Sequence, residues 1–421
     1  MRTTSVVLLV GAVTLSAACS SGEPSSAVAI VTDSAGVAIV TSRPAAREEI
    51  RSWEILSAPT AAIGEGANPE IALSRVVAVA PLGQGRVAVG TTSPAEVLVF
   101  EADGTLVARL GQEGEGPGEF KSVASVVQVG ADTVAVWDPY RRRVSVYVTN
   151  GHLVDEVDLS AVAPMSAASA GSASFNSGYT HLMPTNSGAL VLFGEGAIAS
   201  RQEAGVARPE LPATRVSRPG ERLAEYGSFP GMEVIQPGGF PRPLGMRTYG
   251  ATVGDALVVG TAETTEVRVY GADGRLERIV RWPEPDRTLG GAYLSRWSKF
   301  VDEQPEMAEM VRAFPQPERF PAHGELIGTP DGILLVSEYP GPLGIWPLRR
   351  ADDAPEALRP RMRVPARTWW VFGADGAMEA RLDTPEGFEP YSIRGSEIWG
   401  VYTDDLDVES VRAYRVDRGD S

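Results

Sequence analysis

Cysteine occurs once in the 421 residues, at Cys19, so an intramolecular disulfide and a cysteine-built metal site are both excluded. Histidine is nearly as scarce, with three copies, His152, His181 and His323. Lysine appears only as Lys121 and Lys299, which leaves arginine to carry the positive charge. That charge is outweighed by acid: the net charge is −16. Such a surface excludes a nucleic-acid partner, because a binder must neutralise phosphates with Lys and Arg. After Ala18 no long apolar segment and no heptad pattern occurs. Glycine (45) and proline (32) are plentiful instead, as a chain of many turns requires.

The N-terminus carries an address. Met1-Arg2 is a short basic start, and Val6 to Ala18 is an apolar, small-residue run. It is too short for a stable bilayer span and fits the core of a signal peptide. It ends at Leu15-Ser-Ala-Ala-Cys19. This resembles the lipobox of bacterial lipoproteins, although the aliphatic residue sits one place early, at −4. The resemblance implies cleavage before Cys19 and a lipid on its thiol, hence a membrane partner and a place in the cell envelope, on the periplasmic side or at the outer membrane. A plain secretory signal with an incidental cysteine is the alternative. The expected division is 1–18 leader, 19–27 Ser/Gly/Pro/Glu tether, and 28–421 folded domain.

A short pattern recurs through that domain. Glu96-Val-Leu-Val-Phe100 precedes Asp103-Gly104, and Arg143-Val-Ser-Val-Tyr147 precedes Asn150-Gly151. Glu266-Val-Arg-Val-Tyr270 precedes Asp273-Gly274, and Thr368-Trp-Trp-Val-Phe372 precedes Asp375-Gly376. Ser410-Val-Arg-Ala-Tyr414 precedes Asp417, with Arg418 in place of glycine. Each copy reads as a β-branched and aromatic strand entering a hairpin turn. The aromatic positions are 47, 123, 102 and 42 residues apart. A four-stranded propeller blade takes roughly 40–50 residues. The 123-residue gap then holds two blades, one degenerate near Tyr179 to Val216, and the 102-residue gap one blade with large insertions. The expectation is an all-β, six-bladed propeller of four-stranded blades. The chain ends before a last outer strand, so the N-terminal strand Val37 to Thr41 is expected to supply it and close the ring.

Between the first two copies lies Gly111-Gln-Glu-Gly-Glu-Gly-Pro-Gly-Glu-Phe120, followed by Asp138-Pro-Tyr-Arg-Arg-Arg143. With the Asp-Gly turns, these segments resemble NHL-repeat propellers, and still more the six-bladed propeller lipoproteins of environmental bacteria. Asp33-Ser-Ala-Gly36 and Trp53 fit that group. The resemblance implies the fold; propellers host enzymes and binders alike.

Several motifs were candidates for chemistry. The glycine-rich 111–118 run lacks phosphate-loop spacing, and its glutamates would repel phosphate. His181 and His323 lie near expected inner strands, and some NHL-type propellers are zinc-dependent lyases with channel histidines; no cofactor is expected here, but a channel Zn or Ca stays open. Asp404-Asp-Leu-Asp407-Val-Glu409 is calcium-like in composition without the glycine of an EF-hand loop, and reads as a solvated hairpin. Arg141 and Arg142 are expected to be solvated, while Arg143 opens a strand.

The long insertions are 160–178, 226–246, 282–320 and 339–367. Blade topology assigns all four to one face, opposite the Asp-Gly hairpins. The third carries apolar positions at helical spacing (Leu294, Trp297, Val301, then Met307, Met310, Phe314), so a helical insertion is expected at about 288–314. Loops on a rigid scaffold are where binding residues usually lie. Phe229, Arg242, Arg247, Tyr249 and Trp346 are the candidate ligand contacts: aromatics beside arginines suit a small anionic or sugar-like ligand. The expected function is therefore a lipid-anchored binding or protein-interaction scaffold, with a metal-dependent hydrolase or lyase as the rival.

Overall fold

The computed structural model describes residues 28–43, 50–64, 73–163, 178–195, 204–236, 240–242, 244–291, 295, 298, 302, 317–339 and 364–419. Among them β-strands dominate, arranged in successive antiparallel meanders. The first comprises Val76–Pro81, Arg86–Thr92, Ala95–Glu101 and Leu106–Leu110. The second comprises Ser125–Gln128, Thr133–Asp138, Arg143–Val148 and Leu153–Asp158. The third, only faintly marked in sequence, comprises Gly178–Pro184, Leu190–Glu195, Glu210–Val216 and Arg222–Pro230. The fourth is Tyr249–Val253, Ala256–Gly260, Glu266–Tyr270 and Leu276–Arg281. The fifth is Leu326–Gly328, Leu334–Ser337, Arg367–Phe372 and Met378–Thr384. The sixth has Phe388–Arg394, Glu397–Thr403 and Glu409–Asp417, with Ser52–Ile63 as its fourth strand.

The first strands touch their neighbours in a closed cycle, the sixth meander returning to the first. The apolar core follows that cycle. Valines and alanines of the first meander pack on Val126, Val134, Val136 and Tyr147 of the second. Trp137 and Val144 of the second pack on Leu182, Leu192 and Val216 of the third. The same wedge recurs at each junction around to Trp399 against Val87 and Val89, where the sixth meets the first. Alternating strand residues thus bury both faces of each sheet, and the fold is a β-propeller.

The repeated turn has a physical cause. Between the valine and the aromatic near the end of these strands the register slips by one, at Val99/Phe100, Val146/Tyr147, Val269/Tyr270 and Val371/Phe372. The glycine that follows takes positive φ, +85° at Gly104 and +84° at Gly376. This is a bulged hairpin, in which only glycine adopts the left-handed position without cost. The acidic residue before it accepts from the backbone two places on, as Asp103 Oδ1 does from Thr105 N–H at 2.9 Å.

The strand that completes the sixth meander differs from expectation. Val37–Arg43 pairs instead in parallel with Leu276–Arg281, on the outside of the fourth meander, and antiparallel with Val28–Ser34. Ser42 is fully buried there and its Oγ accepts the Met378 N–H of the fifth meander at 2.9 Å. Ser52 and Trp53 then run parallel to Arg381 and Leu382, and the remainder of Ser52–Ile63 pairs antiparallel with Glu409–Asp417. The segment forms a belt over three meanders, and its last strand takes the open edge. Length decides the choice: Ser52–Ile63 has 12 residues, enough to bridge the fifth sheet and still cover a 9-residue edge.

One further boundary shifts. Tyr226 to Pro230 belongs to a strand, so the crossover between third and fourth meanders begins at Gly231. Within it Val234–Gln236 pairs with Gly205–Ala207 and with Phe240–Pro241. The expected helical insertion at about 288–314 falls for the most part outside the described residues.

Candidate functional site

The six first strands surround a channel of about 1330 Å³. Its middle is lined by small and apolar residues such as Ala78, Val126, Leu182, Ala251 and Ile327. At one end the first strands begin, and there Arg75, His181, Arg247, Tyr249, Glu325 and Glu389 line it. At the other end lie the turns between first and second strands, with Asn186, Asp331 and Arg394, and Arg218 from a turn between third and fourth strands. Arg394 spans two junctions: its Nη1 donates to Pro81 O at 2.8 Å and to Gln128 Oε1 at 2.7 Å. That clamp ties sixth, first and second meanders together at the turn end.

Of the predicted ligand contacts, the structure brings Arg247 and Tyr249 together at the channel. The Arg247 guanidinium carbon lies 5.8 Å from the Tyr249 ring centre, in cation–π range. Phe229 is elsewhere. It is 7% exposed and packs edge-to-face on Tyr270 at 5.5 Å, in the core between third and fourth meanders. Arg242 serves the crossover itself: its Nη1 donates to Glu233 Oε2 at 3.0 Å, and the same carboxylate accepts the Met246 N–H. Trp346 and Cys19 lie outside the described residues.

The histidines separate. His181 lines the channel. His152 stands on the exposed Asn150-Gly151 turn, its N–H donating to Asn150 Oδ1 at 3.3 Å. His323, placed by the sequence near an inner strand with a channel metal left open, is 1% exposed with both ring nitrogens engaged. Its Nδ1 lies 2.8 Å from Gly324 O, and its Nε2 accepts the Ala262 N–H at 3.1 Å. These partners require the proton on Nδ1 and leave no lone pair for a cation. Burial, the dominant cause, pushes its pKa down to about 4, and the nearby Arg287 lowers it further against the bond to Gly324. The ring packs on Trp282 and Tyr249, so it supports the channel mouth from behind. Among the described residues no group of three or more His, Cys, Asp or Glu side chains converges as a metal site.

A polar lattice holds the mouth in place. Arg208 donates to Gly231 O, to Thr261 O, to Glu263 and to Thr248 Oγ1. Thr248 stands between Arg247 and Tyr249, so this arginine sets the backbone of the pair. Burial lowers the Arg208 pKa, and Glu263 and Glu233 oppose the shift. Arg287 joins Glu284, Phe320 O and Glu263 O, which fastens both ends of the 282–320 insertion to the fourth meander. Ala262, at φ +58°, is held in the left-handed region by its bonds to His323 and Ala322.

The glycine-rich segment is a structural joint. Gly116 N–H donates to Glu119 Oε2 at 2.6 Å, and that bond leads the causes that lower the Glu119 pKa. Arg141 and Arg143 donate to four of the segment's carbonyls, at Gly114, Glu115, Gly116 and Glu119. Arg141 is therefore not solvated as expected; loop carbonyls without other partners draw it in. A Cβ at Gly111 would sit 2.4 Å from Gly118 O, so no other residue fits. In the acidic loop, Asp404 Oδ1 accepts the N–H groups of Leu406 and Val408, and Glu409 Oε2 accepts the Val76 N–H across the last junction.

No family model and no curated protein matches the chain. Solved structures do. An exported protein from Bacteroides fragilis aligns at 11% identity and a TM-score of 0.48, covering 90% of this chain and 99% of that one. A DUF4221 family member from Bacteroides vulgatus aligns at 10% and 0.46, covering 87% and 99%. The PQQ-bound aldose sugar dehydrogenase from Streptomyces coelicolor aligns at 12% and 0.40, covering 87% and 98%.

Sequence reading missed Arg75, Glu325, Glu389 and Arg208. The first three share a signal: each stands at or just before the start of a first strand, as Tyr249 does. Arg208 has none, because its partners, two carbonyls, a hydroxyl and the Glu263 carboxylate, are distant in sequence.

Proposed function

We propose that this chain is a six-bladed β-propeller, each meander a blade, anchored through lipid on Cys19 in the bacterial cell envelope. We further propose that it is a ligand-binding module whose site is the channel end where the first strands begin. The anchoring rests on the resemblance of Leu15 to Cys19 to a lipobox. The binding reading rests on one observation above all: Arg247 and Tyr249 meet at the mouth of a channel large enough for a small molecule. An arginine beside an aromatic face suits a ligand with a carboxylate or phosphate next to an apolar or sugar ring, held by charge-assisted bonds and stacking. The lattice around Arg208, Arg287 and His323 fits this role, since a binding site requires its contacts fixed in advance.

The test is a thermal-shift and calorimetric screen with sugar acids, sugar phosphates and neutral sugars. A ligand found in this way loses affinity at least about tenfold in Arg247→Ala or Tyr249→Ala, the loss of one charge-assisted or stacking contact. Affinity in Asp103→Ala, on the hairpin turns, stays unchanged. Loss confined to Asp103→Ala places the site at the wrong end of the channel.

A further inference from the structure

The outermost strand carries an unclaimed interface. Val28-Ala-Ile-Val-Thr32 and Val37-Ala-Ile-Val-Thr41 are the same five residues, repeated across a two-residue turn. The second copy is a central strand, paired on one side with the first copy and on the other with Leu276–Arg281. The first copy ends the sheet, with no further strand beside it among the described residues. Its apolar side chains are in water, Ile30 41% and Val31 64% exposed.

Natural edge strands are guarded by proline, lysine or a covering loop. Val28–Ser34 contains neither proline nor lysine, and Asp33 is its single charge. That aspartate is turned to local use, its Oδ1 accepting the Gly36 N–H at 3.2 Å. The turn residues Ala35 and Gly36 both have positive φ, so the Ser34–Val37 pair that closes the hairpin is a hydrogen-bonded one. By alternation, Ser34, Thr32 and Ile30 bond inward, and Ala29, Val31 and Asp33 present their N–H and C=O groups outward.

We propose that this edge pairs with the same edge of a second copy of the chain, antiparallel about a twofold axis at Val31. In that register Val31 faces Val31 as a reciprocal bonded pair, flanked on each side by Ala29 facing Asp33. An antiparallel edge is self-complementary, as a closed twofold dimer requires. The occupant is a second copy because the sequence shows its own competence: in its repeat, VAIVT already pairs on both edges within this molecule. The proposal does not depend on the channel being a binding site.

The experiment is sedimentation of the full chain, as its host processes it, in density-matched detergent. The unaltered protein sediments as a dimer that dissociates on dilution. Val31→Pro removes only an outward N–H, which an edge strand tolerates. It sediments as a monomer at the same concentration and keeps its melting temperature. Val31→Lys, a second route that leaves the backbone donor intact, gives the same monomer. A monomer for the unaltered protein at every concentration overturns the proposal. So does a dimer that survives both substitutions.

Discussion

His323 makes the stability of this protein depend on pH between about 4 and 6.5. The imidazole is neutral in the fold because burial denies it water, and its Nε2 must stay unprotonated to accept the Ala262 N–H. In the unfolded chain it returns to its ordinary pKa of 6.5. Its folded pKa of about 4 is the lower of the two, so the unfolded chain binds the proton more readily between them. Its contribution is therefore complete above about pH 6.5 and is lost as the pH falls toward 4. A separation of about 2.5 units at about 1.4 kcal/mol each bounds the effect at about 3–4 kcal/mol; between pH 7 and pH 4.5 the loss is about 2 kcal/mol. The carboxylates with lowered pKa values, Asp103, Glu119, Asp158, Asp255 and Asp286, start from 3.8 or 4.5 and lose their contributions below about pH 4.5, at the acid end of the measured range. Urea unfolding followed by tryptophan fluorescence at pH 7, 6, 5 and 4.5 measures the slope. His323→Gln keeps an acceptor near Ala262 and removes the titration. It costs about 1 kcal/mol at pH 7 through the lost donor to Gly324, and this difference shrinks and reverses toward pH 4.5, because the variant has no imidazole to titrate. Equal slopes for the two proteins would refute the neutral, buried imidazole.

The remaining predictions concern the joints of the ring. Trp53→Ala removes a 5% exposed indole packed between the fifth and sixth meanders under Arg418, and should cost about 3–5 kcal/mol in chemical unfolding. Deleting 28–43 should leave a cooperative, less stable fold, whereas deleting 28–63 should abolish cooperative melting by calorimetry, because only the second opens the sixth meander. Tyr147→Phe strands the buried Gly118 carbonyl that its hydroxyl reaches at 2.7 Å, at a cost of about 1–2 kcal/mol. Arg208→Met should lower the melting temperature and broaden the amide signals of Arg247 and Tyr249 in NMR spectra, since the Thr248 hydroxyl loses its donor and keeps only its bond to Pro230 O.

Much of the fold was written in local chemistry. The aromatic and the Asp-Gly turn act within a few residues, and the structure places antiparallel strands and hairpins of an all-β fold where those signals stand. The third meander was faint for a physical reason. Its third and fourth strands, Glu210–Val216 and Arg222–Pro230, join through Arg218-Pro-Gly220 without the aromatic and acidic pair, so no copy of the motif marks them. The closing strand was misassigned for another. Val37 to Thr41 has the stronger strand pattern, but pattern reports only that a segment extends, not which edge it joins. Ser52–Ile63 carries Pro59 and shows two register breaks against its partner, and edge position is what allows both.

The site was legible only where it coincides with strand starts. Arg247 and Tyr249 flank the beginning of an inner strand, and topology alone puts such residues at the channel. Phe229 and Arg242 shared the same composition of aromatics and arginines, yet the fold spends one on a junction between meanders and the other on a crossover carboxylate. The difference lies in the neighbours. Phe229 meets Phe193 and Tyr270 across 36 and 41 residues of sequence, and no local pattern records that encounter. His323 makes the same point with opposite sign. Its position beside an inner strand left a channel metal open, but backbone groups at Ala262 and Gly324 occupy both nitrogens. A propeller needs long-range backbone partners wherever an insertion leaves the sheet, and a buried neutral histidine supplies a donor and an acceptor in one ring. The residues most easily mistaken for chemistry here are thus those that fasten insertions to the scaffold, and the groups of the proposed site are the ones that stand where inner strands begin.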